Sequence, residues 1–228
     1  MDLAAVQDAP ARELARGAVA AARNARGLVE DAELLSGAGR LARAYSLAGL
    51  AVEELGKAGG LAALAAMPEN LRARAPVGRM LEWHQMKLVA GHLIAAVRLG
   101  VPGVATRFVT MPLSEIAEIM DSAQSFTQDV DRLKQRGLYV DVDRSGRIRE
   151  PSEITAAEVR EQLDRARRAA RGANALLDPS GPLLLANPWP ADVEFSCAVV
   201  SAFGETRLGR SPEAAADVLR NAVTKLRG

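Results

Sequence analysis

Apolar residues recur every three or four positions along most of the chain, and this spacing predicts helices. The first predicted helix begins near Pro10, a residue typical of helix starts, and continues to the stop signal at 36–37. A second predicted helix covers about 40–66 and ends before Pro68, because a residue that precedes proline is disfavoured in a helix. The two glycines at 59–60 are expected to permit a kink or a close helix contact.

The same periodicity predicts three further helices. Two of them cover about 79–99 and 112–136, and both are followed by glycine. The third begins at a capping box formed by Thr155 and Glu158, in which each residue satisfies backbone groups of the other, and it is expected to reach about Leu177. Together these segments predict an all-α fold.

One stretch, 138–148, has the alternating pattern of a strand and contains a Ser145-Gly146 turn. We expect a short extended or hairpin insertion there. Asp141, Asp143 and Ser145 have the spacing of the first ligands in a calcium-binding loop. The twelfth position, however, is Ser152, where such a loop requires a bidentate glutamate, so calcium is not expected.

A change in composition divides the chain. The segment that follows Pro179 is rich in proline, glycine and asparagine up to Pro190, which indicates a linker or irregular loop. We therefore predict a helical domain at 1–178 and a C-terminal helical extension at 179–228 that packs on it.

Composition narrows the classes of function. Apolar residues make up 49% of the 228 residues and aromatic residues only 4%, so the core is expected to consist mostly of small aliphatic side chains. A net charge of +1 gives no overall sign of nucleic-acid or membrane binding. A lone cysteine, Cys197, cannot form an internal disulfide, and neither a signal peptide nor a membrane-length apolar run is recognisable. These features predict a cytoplasmic protein without membrane contact.

Charged residues interrupt the second predicted helix abruptly. No charge occurs from Tyr45 to Val52, and then Glu53, Glu54 and Lys57 follow within about one turn. Either acid has the spacing to pair with the lysine on a helix surface. Such a group is either a solvated ion pair near a helix end or a set of charges inside a helical core. Charges in a core must be paired and often mark a functional site.

A second polar cluster consists of Arg79, His84 and Lys87 in the following helical pattern. Arginine can neutralise a scissile phosphate, and histidine can transfer a proton to or from the reacting hydroxyl, so this pair suffices for RNA cleavage without a metal. One histidine supplies only one proton transfer, and a two-fold dimer would supply the second. The alternative is a structural histidine bonded to Glu54, with a solvated Arg79.

A metal site is not expected on these helices. Carboxylate-bridged metal bundles use Glu-x-x-His pairs, and neither His84 nor His92 has a glutamate three residues before it. The sequence therefore predicts neither a metal nor another cofactor.

The motifs in this order resemble the AbiV family of bacterial abortive-infection proteins. They are Glu53-Glu54-Leu-Gly-Lys57, then His84-x-x-Lys87, then Leu-Tyr-Val-Asp at 138–141. The resemblance covers about 20–180 and extends to the HEPN superfamily of helical proteins, which implies a HEPN-like helical bundle. In HEPN ribonucleases a Glu-x-x-Lys helix and a later Arg-x(4–6)-His helix line the site.

The resemblance implies that Arg79 and His84 are catalytic and that four residues support them, namely Glu53, Glu54, Lys57 and Lys87. One departure from the HEPN pattern concerns nuclease activity and leaves the fold unaffected. Active HEPN nucleases usually carry a polar residue directly after the arginine, and this chain has Met80 there.

The expected function is antiphage defence by a homodimer that cleaves RNA or arrests translation when a phage product, such as a phage protein, triggers it. One alternative is a non-catalytic binding module that sequesters a partner, with the polar cluster as a structural network. Another is a nucleotide or small-ligand sensor that holds phosphate with Lys57, Arg79 and Lys87.

Overall fold

The structure is a computed structural model that describes residues 3–72, 81, 87–88, 90–91, 118, 137–142 and 145–174. Five helices of at least four residues lie in these ranges, together with a two-stranded hairpin and a 3-10 turn at Pro151–Glu153. The helices are α1 (Leu3–Asp8), α2 (Ala11–Gly37), α3 (Leu41–Ala66), α4 (Glu69–Arg72) and α5 (Ala156–Gly172). The all-α prediction is confirmed.

The centre of the fold is an antiparallel pair formed by α2 and α3. At one end Leu14 of α2 lies in a buried cluster with Leu64 of α3, and at the other end Val29 lies in a cluster with Ala48. A third cluster between them includes Leu55 of α3. Alanine supplies many of the residues in all three clusters, which lets the two helix backbones approach closely.

The turn between α2 and α3 is three residues long, at 38–40, and satisfies the last carbonyls of α2. The Arg40 amide donates to the Leu35 carbonyl at 2.8 Å, and the Gly39 amide donates to Ser36 at 3.1 Å. Gly39 has φ +72°, a left-handed conformation that side chains disfavour. The helix therefore ends at Gly37, as predicted, but the residue that reverses the chain is Gly39.

Helix α5 begins at the predicted capping box. The Thr155 hydroxyl accepts from the Glu158 amide, and the Thr155 amide donates to the Glu158 carboxylate at 2.7 Å. The helix ends at Gly172, earlier than the predicted end near Leu177, because glycine is a poor helix former and Ala173 already leaves the helical conformation.

The buried face of α5, which includes Val159 and Leu163, packs on α3 and α2. A polar contact at the rim fixes it further, where the Arg167 guanidinium donates to Glu33 of α2 at 2.7 Å. This hydrogen bond raises the pKa of Arg167. Helix α5 thus joins the α2–α3 pair through both apolar and ionic contacts.

The hairpin lies in the predicted extended segment. Strands β1 (Asp141–Val142) and β2 (Ile148–Arg149) pair antiparallel, with Val142 opposite Ile148. Gly146, in the turn between them, has φ +82°. Val142 and Ile148 are both well exposed, so the hairpin lies on the surface.

Two local features differ from the sequence prediction. The short helix α1 precedes the first predicted helix. The helix predicted to end at 136 is still helical at Gly137 and Leu138. A Cβ at Gly137 would lie 2.8 Å from the Ala42 carbonyl oxygen, so this glycine serves close packing on α3 and does not stop the helix.

Among the described residues, no helix combines the length and the apolar character that crossing a bilayer requires. The predicted extension at 179–228 lies outside the described residues.

Candidate functional site

Glu53 is a buried carboxylate in the middle of α3. Its side chain is only 4% exposed, and it forms an ion pair with Lys87, whose Nζ lies 3.7 Å from Glu53 Oε2. Lys87 is itself 15% exposed. Because a buried charge is costly without a partner, this pair joins two parts of the chain that are far apart in sequence. It links the charged stretch of α3 that begins at Glu53 to Lys87, a member of the second polar cluster.

Glycines allow the backbone around Lys87 to touch α3. We call Lys87, Leu88, Ala90 and Gly91, all of which are helical, the Lys87 segment. A Cβ at Gly56 would collide with the Lys87 carbonyl, and a Cβ at Gly91 would collide with the Val52 carbonyl. The two backbones are therefore in direct contact on both sides of Glu53, and this contact fixes the position of Lys87.

Glu54, the neighbour of Glu53, faces a more open environment. Its Oε1 lies 3.6 Å from Lys57 Nζ, and its Oε2 accepts a hydrogen bond from Asn24 Nδ2 of α2 at 3.2 Å. The side chains of Glu54 and Lys57 are 26% and 29% exposed. Each oxygen of this carboxylate thus has its own partner, which fixes the carboxylate between α2 and α3.

Asn24 is a member of this polar group that the sequence analysis missed. Its signal was present, since asparagine is unfavourable in a helix interior and stands here in an alanine-rich run. The spacing rules that relate Glu54 to Lys57 apply only within one helix, so they could not identify a partner on another helix.

The proposed catalytic residues Arg79 and His84 lie outside the described residues. One described residue, Leu81, lies between them in sequence, and another, Lys87, lies three residues after His84. Leu81 is helical and buried in the same cluster as Leu14 of α2, and Lys87 is paired with Glu53. The structure therefore brings Lys87 to Glu53 and Lys57 to Glu54.

An open groove of about 440 Å³ lies along α2 beside this polar group. The described residues that line it all belong to α2, and they are Ala20, Arg23, Asn24, Gly27, Leu28 and Asp31. Asn24 thus contributes both to the groove and to the hydrogen bond with Glu54. Within the described residues, no cluster of three or more His, Cys, Asp or Glu residues is suited to hold a metal ion.

Comparison with known families identifies the chain. The family model of AbiV, a HEPN family, matches residues 13–171, which is more than half of the chain. The chain belongs to the AbiV family. AbiV membership associates it with abortive infection, a form of antiphage defence. The AbiV match includes α2, α3, the hairpin and most of α5. Comparisons with curated proteins and with solved structures find no match.

Proposed function

We propose that this AbiV protein is an endoribonuclease of antiphage defence, in which Arg79 and His84 are the catalytic pair. The observation that supports it is the ion pair between Glu53 and Lys87, because it connects the turn of α3 in which the Glu54-x-x-Lys57 motif begins to the segment that follows His84. A neighbouring polar group in the same region consists of Glu54, Lys57 and Asn24.

The chemistry assigned to the pair is an intramolecular transesterification of RNA. Arg79 neutralises the charge of the scissile phosphate. His84 takes the proton of the ribose 2′-hydroxyl, whose oxygen attacks phosphorus while the bond from phosphorus to the 5′-oxygen breaks. The departing 5′-oxygen requires a proton, which His84 of a second copy supplies. The products are a 2′,3′-cyclic phosphate and a 5′-hydroxyl.

Lys87 and Lys57 have a supporting role in this scheme. Glu53 is buried and paired, so it holds Lys87 in place and leaves little freedom for its ammonium group. Lys57 is partly exposed and contributes positive charge near an incoming phosphate backbone. A phage product is proposed as the trigger for cleavage.

The first test is RNA degradation by the purified protein, compared with His84→Ala and Arg79→Ala. General acid–base catalysis typically contributes about 10²–10⁴-fold, and removing a group that stabilises transition-state charge typically costs about 10²–10³-fold. We therefore expect both His84→Ala and Arg79→Ala to lower the cleavage rate by at least about a hundredfold. His92→Gln is the matched control, because His92 is the only other histidine in the chain and has no assigned role. Circular dichroism establishes that each variant is folded.

Plaque assays on cells that express the same variants separate the outcomes. Cleavage that survives both His84→Ala and Arg79→Ala would reject this site. Intact phage protection without RNA cleavage by the wild type would instead favour a binding module that sequesters a partner.

A further inference from the structure

The residues on the outer face of α2 are arranged symmetrically around Gly27, so this face is complementary to the same face of a second copy. We define the Gly27 face as Ala20, Arg23, Gly27, Asp31 and Leu34, which share one side of the helix by their spacing of three, four and seven residues. The groove beside the polar group runs along this face. Its members are exposed or half-buried in the single chain, so the face is available for contact.

Two observations show that the Gly27 face lacks the contacts its residues usually make. Leu34 is 74% exposed, the most exposed large apolar residue among those described. Neither Arg23 nor Asp31 forms an ion pair with a described residue, although other charged residues of α2, such as Arg16 and Arg26, pair with acids of the same helix. Among the described residues, the apolar and the charged groups of this face are thus both without a partner.

The arrangement of these residues is symmetric in sequence. Arg23 lies four residues before Gly27 and Asp31 four residues after it, while Ala20 and Leu34 lie seven before and seven after. If two copies of α2 cross antiparallel about a two-fold axis at Gly27, each Arg23 meets Asp31 of the other copy. Each Leu34 meets the small side chain of Ala20. A two-fold axis generates both contacts twice.

Gly27 itself permits this close crossing. A Cβ placed on Gly27 would meet no atom of the described residues within 4 Å, so no close contact among them requires glycine at this helical position. Glycine in a helix interior costs roughly 0.5–1 kcal/mol relative to alanine. Close approach of a second helix backbone explains why the position carries glycine.

From these features we propose that a second copy of this chain docks antiparallel on the Gly27 face. The opposite charges of Arg23 and Asp31 favour a second copy over an RNA strand, because phosphates along the same face would be repelled by Asp31. The interface does not require the ribonuclease. Its role in supplying a second His84 rests on the function proposed above.

The dimer also places the polar groups of two copies along one interface. Asn24 lines the groove and bonds to Glu54, so the Glu54–Lys57 pair of each copy lies beside the contact. Two candidate sites would then flank a shared axis.

Charge reversal of the full-length protein tests the interface, with sedimentation equilibrium as the measurement. We expect wild type to dimerise and Arg23→Asp and Asp31→Arg each to weaken the dimer at least about tenfold, since each substitution creates two like-charge contacts. An equimolar mixture of the two variants should form a heterodimer, because every Arg–Asp contact is restored there. Arg168→Asp on α5, an exposed arginine on another helix, is the control and should dimerise like wild type.

Crosslinking locates the axis independently and leaves Gly27 intact. In a Cys197→Ser background, an equimolar mixture of Ala20→Cys and Leu34→Cys should form an intermolecular disulfide on mild oxidation, because each position 20 would face position 34 of the other copy. Gly37→Cys alone is the control, since this exposed position would lie far from its counterpart in the other copy. Crosslinking of Gly37→Cys and not of the mixture would overturn the proposed axis.

Two further outcomes would contradict the inference. A wild type that stays monomeric at all concentrations has no such interface. A dimer that is indifferent to both charge reversals uses another surface. Neither result depends on RNA cleavage, so failure of the interface and failure of the ribonuclease are separate. An RNA strand on this face would appear as RNA binding that Arg23→Asp weakens and Asp31→Arg strengthens in a monomeric protein, which also rejects the proposed dimer.

Discussion

Glu53 and Glu54 are adjacent in sequence, but their environments give the two ion pairs different energetic roles. The Glu53–Lys87 pair is almost fully buried, whereas the Glu54–Lys57 pair is partly open to water. Removing one member of a buried pair leaves a desolvated charge, while an exposed pair loses only a screened attraction. Burial, and not distance, therefore distinguishes them, since the two separations are 3.7 and 3.6 Å.

Substitution of the two lysines by methionine tests this difference. Methionine keeps most of the aliphatic side chain but removes the charge. We expect Lys87→Met to lower the free energy of unfolding by about 3 kcal/mol and Lys57→Met by less than about 1 kcal/mol. Urea denaturation of both variants measures the comparison. Equal losses would show that Glu53 does not depend on Lys87.

Gln162 of α5 is a buried residue whose side-chain amide has no hydrogen-bond partner among the described residues. The residue is 1% exposed, and both its Nε2 and its Oε1 lack a partner there. A buried polar group without a partner costs about 1–3 kcal/mol. This position is therefore a weak point in an otherwise apolar face.

We expect Gln162→Leu to stabilise the protein by roughly 1 kcal/mol, because it removes the unsatisfied amide and keeps most of the volume. Thermal and urea unfolding measure the change. Gln162→Ala is the control, since it removes the amide but leaves a cavity, and it should not give this gain. A loss of stability in Gln162→Leu would mean that the amide is hydrogen-bonded in solution.

At the level of elements, the crossing of α3 and the Lys87 segment depends on glycine. Gly56 and Gly91 each face a backbone carbonyl of the other element, which cannot rotate away as a flexible side chain could. In the alanine-rich cluster that includes Leu55, small side chains let α2 and α3 approach each other closely. The crossing has no side chain at all at these two positions.

Gly56→Ala is accordingly expected to destabilise the protein by at least about 1–3 kcal/mol, because overpacking forces the backbones apart. Gly17→Ala in α2 is the matched control. Its new methyl group would make an ordinary contact with Leu61 at 3.4 Å, and replacing a helical glycine should leave stability unchanged or improve it. Should both variants unfold at the same urea concentration, the close crossing would be wrong.

The elements differ in how well the sequence predicted them. The ends of α2 and α3 were predicted within about one residue, because long apolar periodicity coincides with proline and glycine at the boundaries. The glycines at 59–60 are predicted to permit a kink or a close helix contact, and this stays a prediction. The structure describes a close glycine contact about one turn earlier, at Gly56. Which glycine meets another helix depends on the packing, and periodicity within one helix carries no such information.

For the whole molecule, the sequence predicted the class of fold and which polar residues cluster. It predicted less well which of these residues form hydrogen bonds or ion pairs with one another. Lys57 was expected to pair with Glu53 or Glu54, and the structure pairs it with Glu54. The bond between Asn24 and Glu54 and the pair between Glu53 and Lys87 connect different elements. Such contacts follow from the tertiary arrangement, which single-sequence spacing rules cannot supply.

The backbone contact at Gly56 and Gly91 also matters for protein engineering. Because main chain meets main chain there, side chains on either side can be exchanged without moving the scaffold that carries them. Substitutions at Glu54 or Lys57 should therefore change the charge and hydrogen bonding of this region, whereas substitutions at Gly56 or Gly91 should change how the two backbones pack. A designer who wishes to change what this region recognises can vary Glu54 and Lys57 and should retain both glycines.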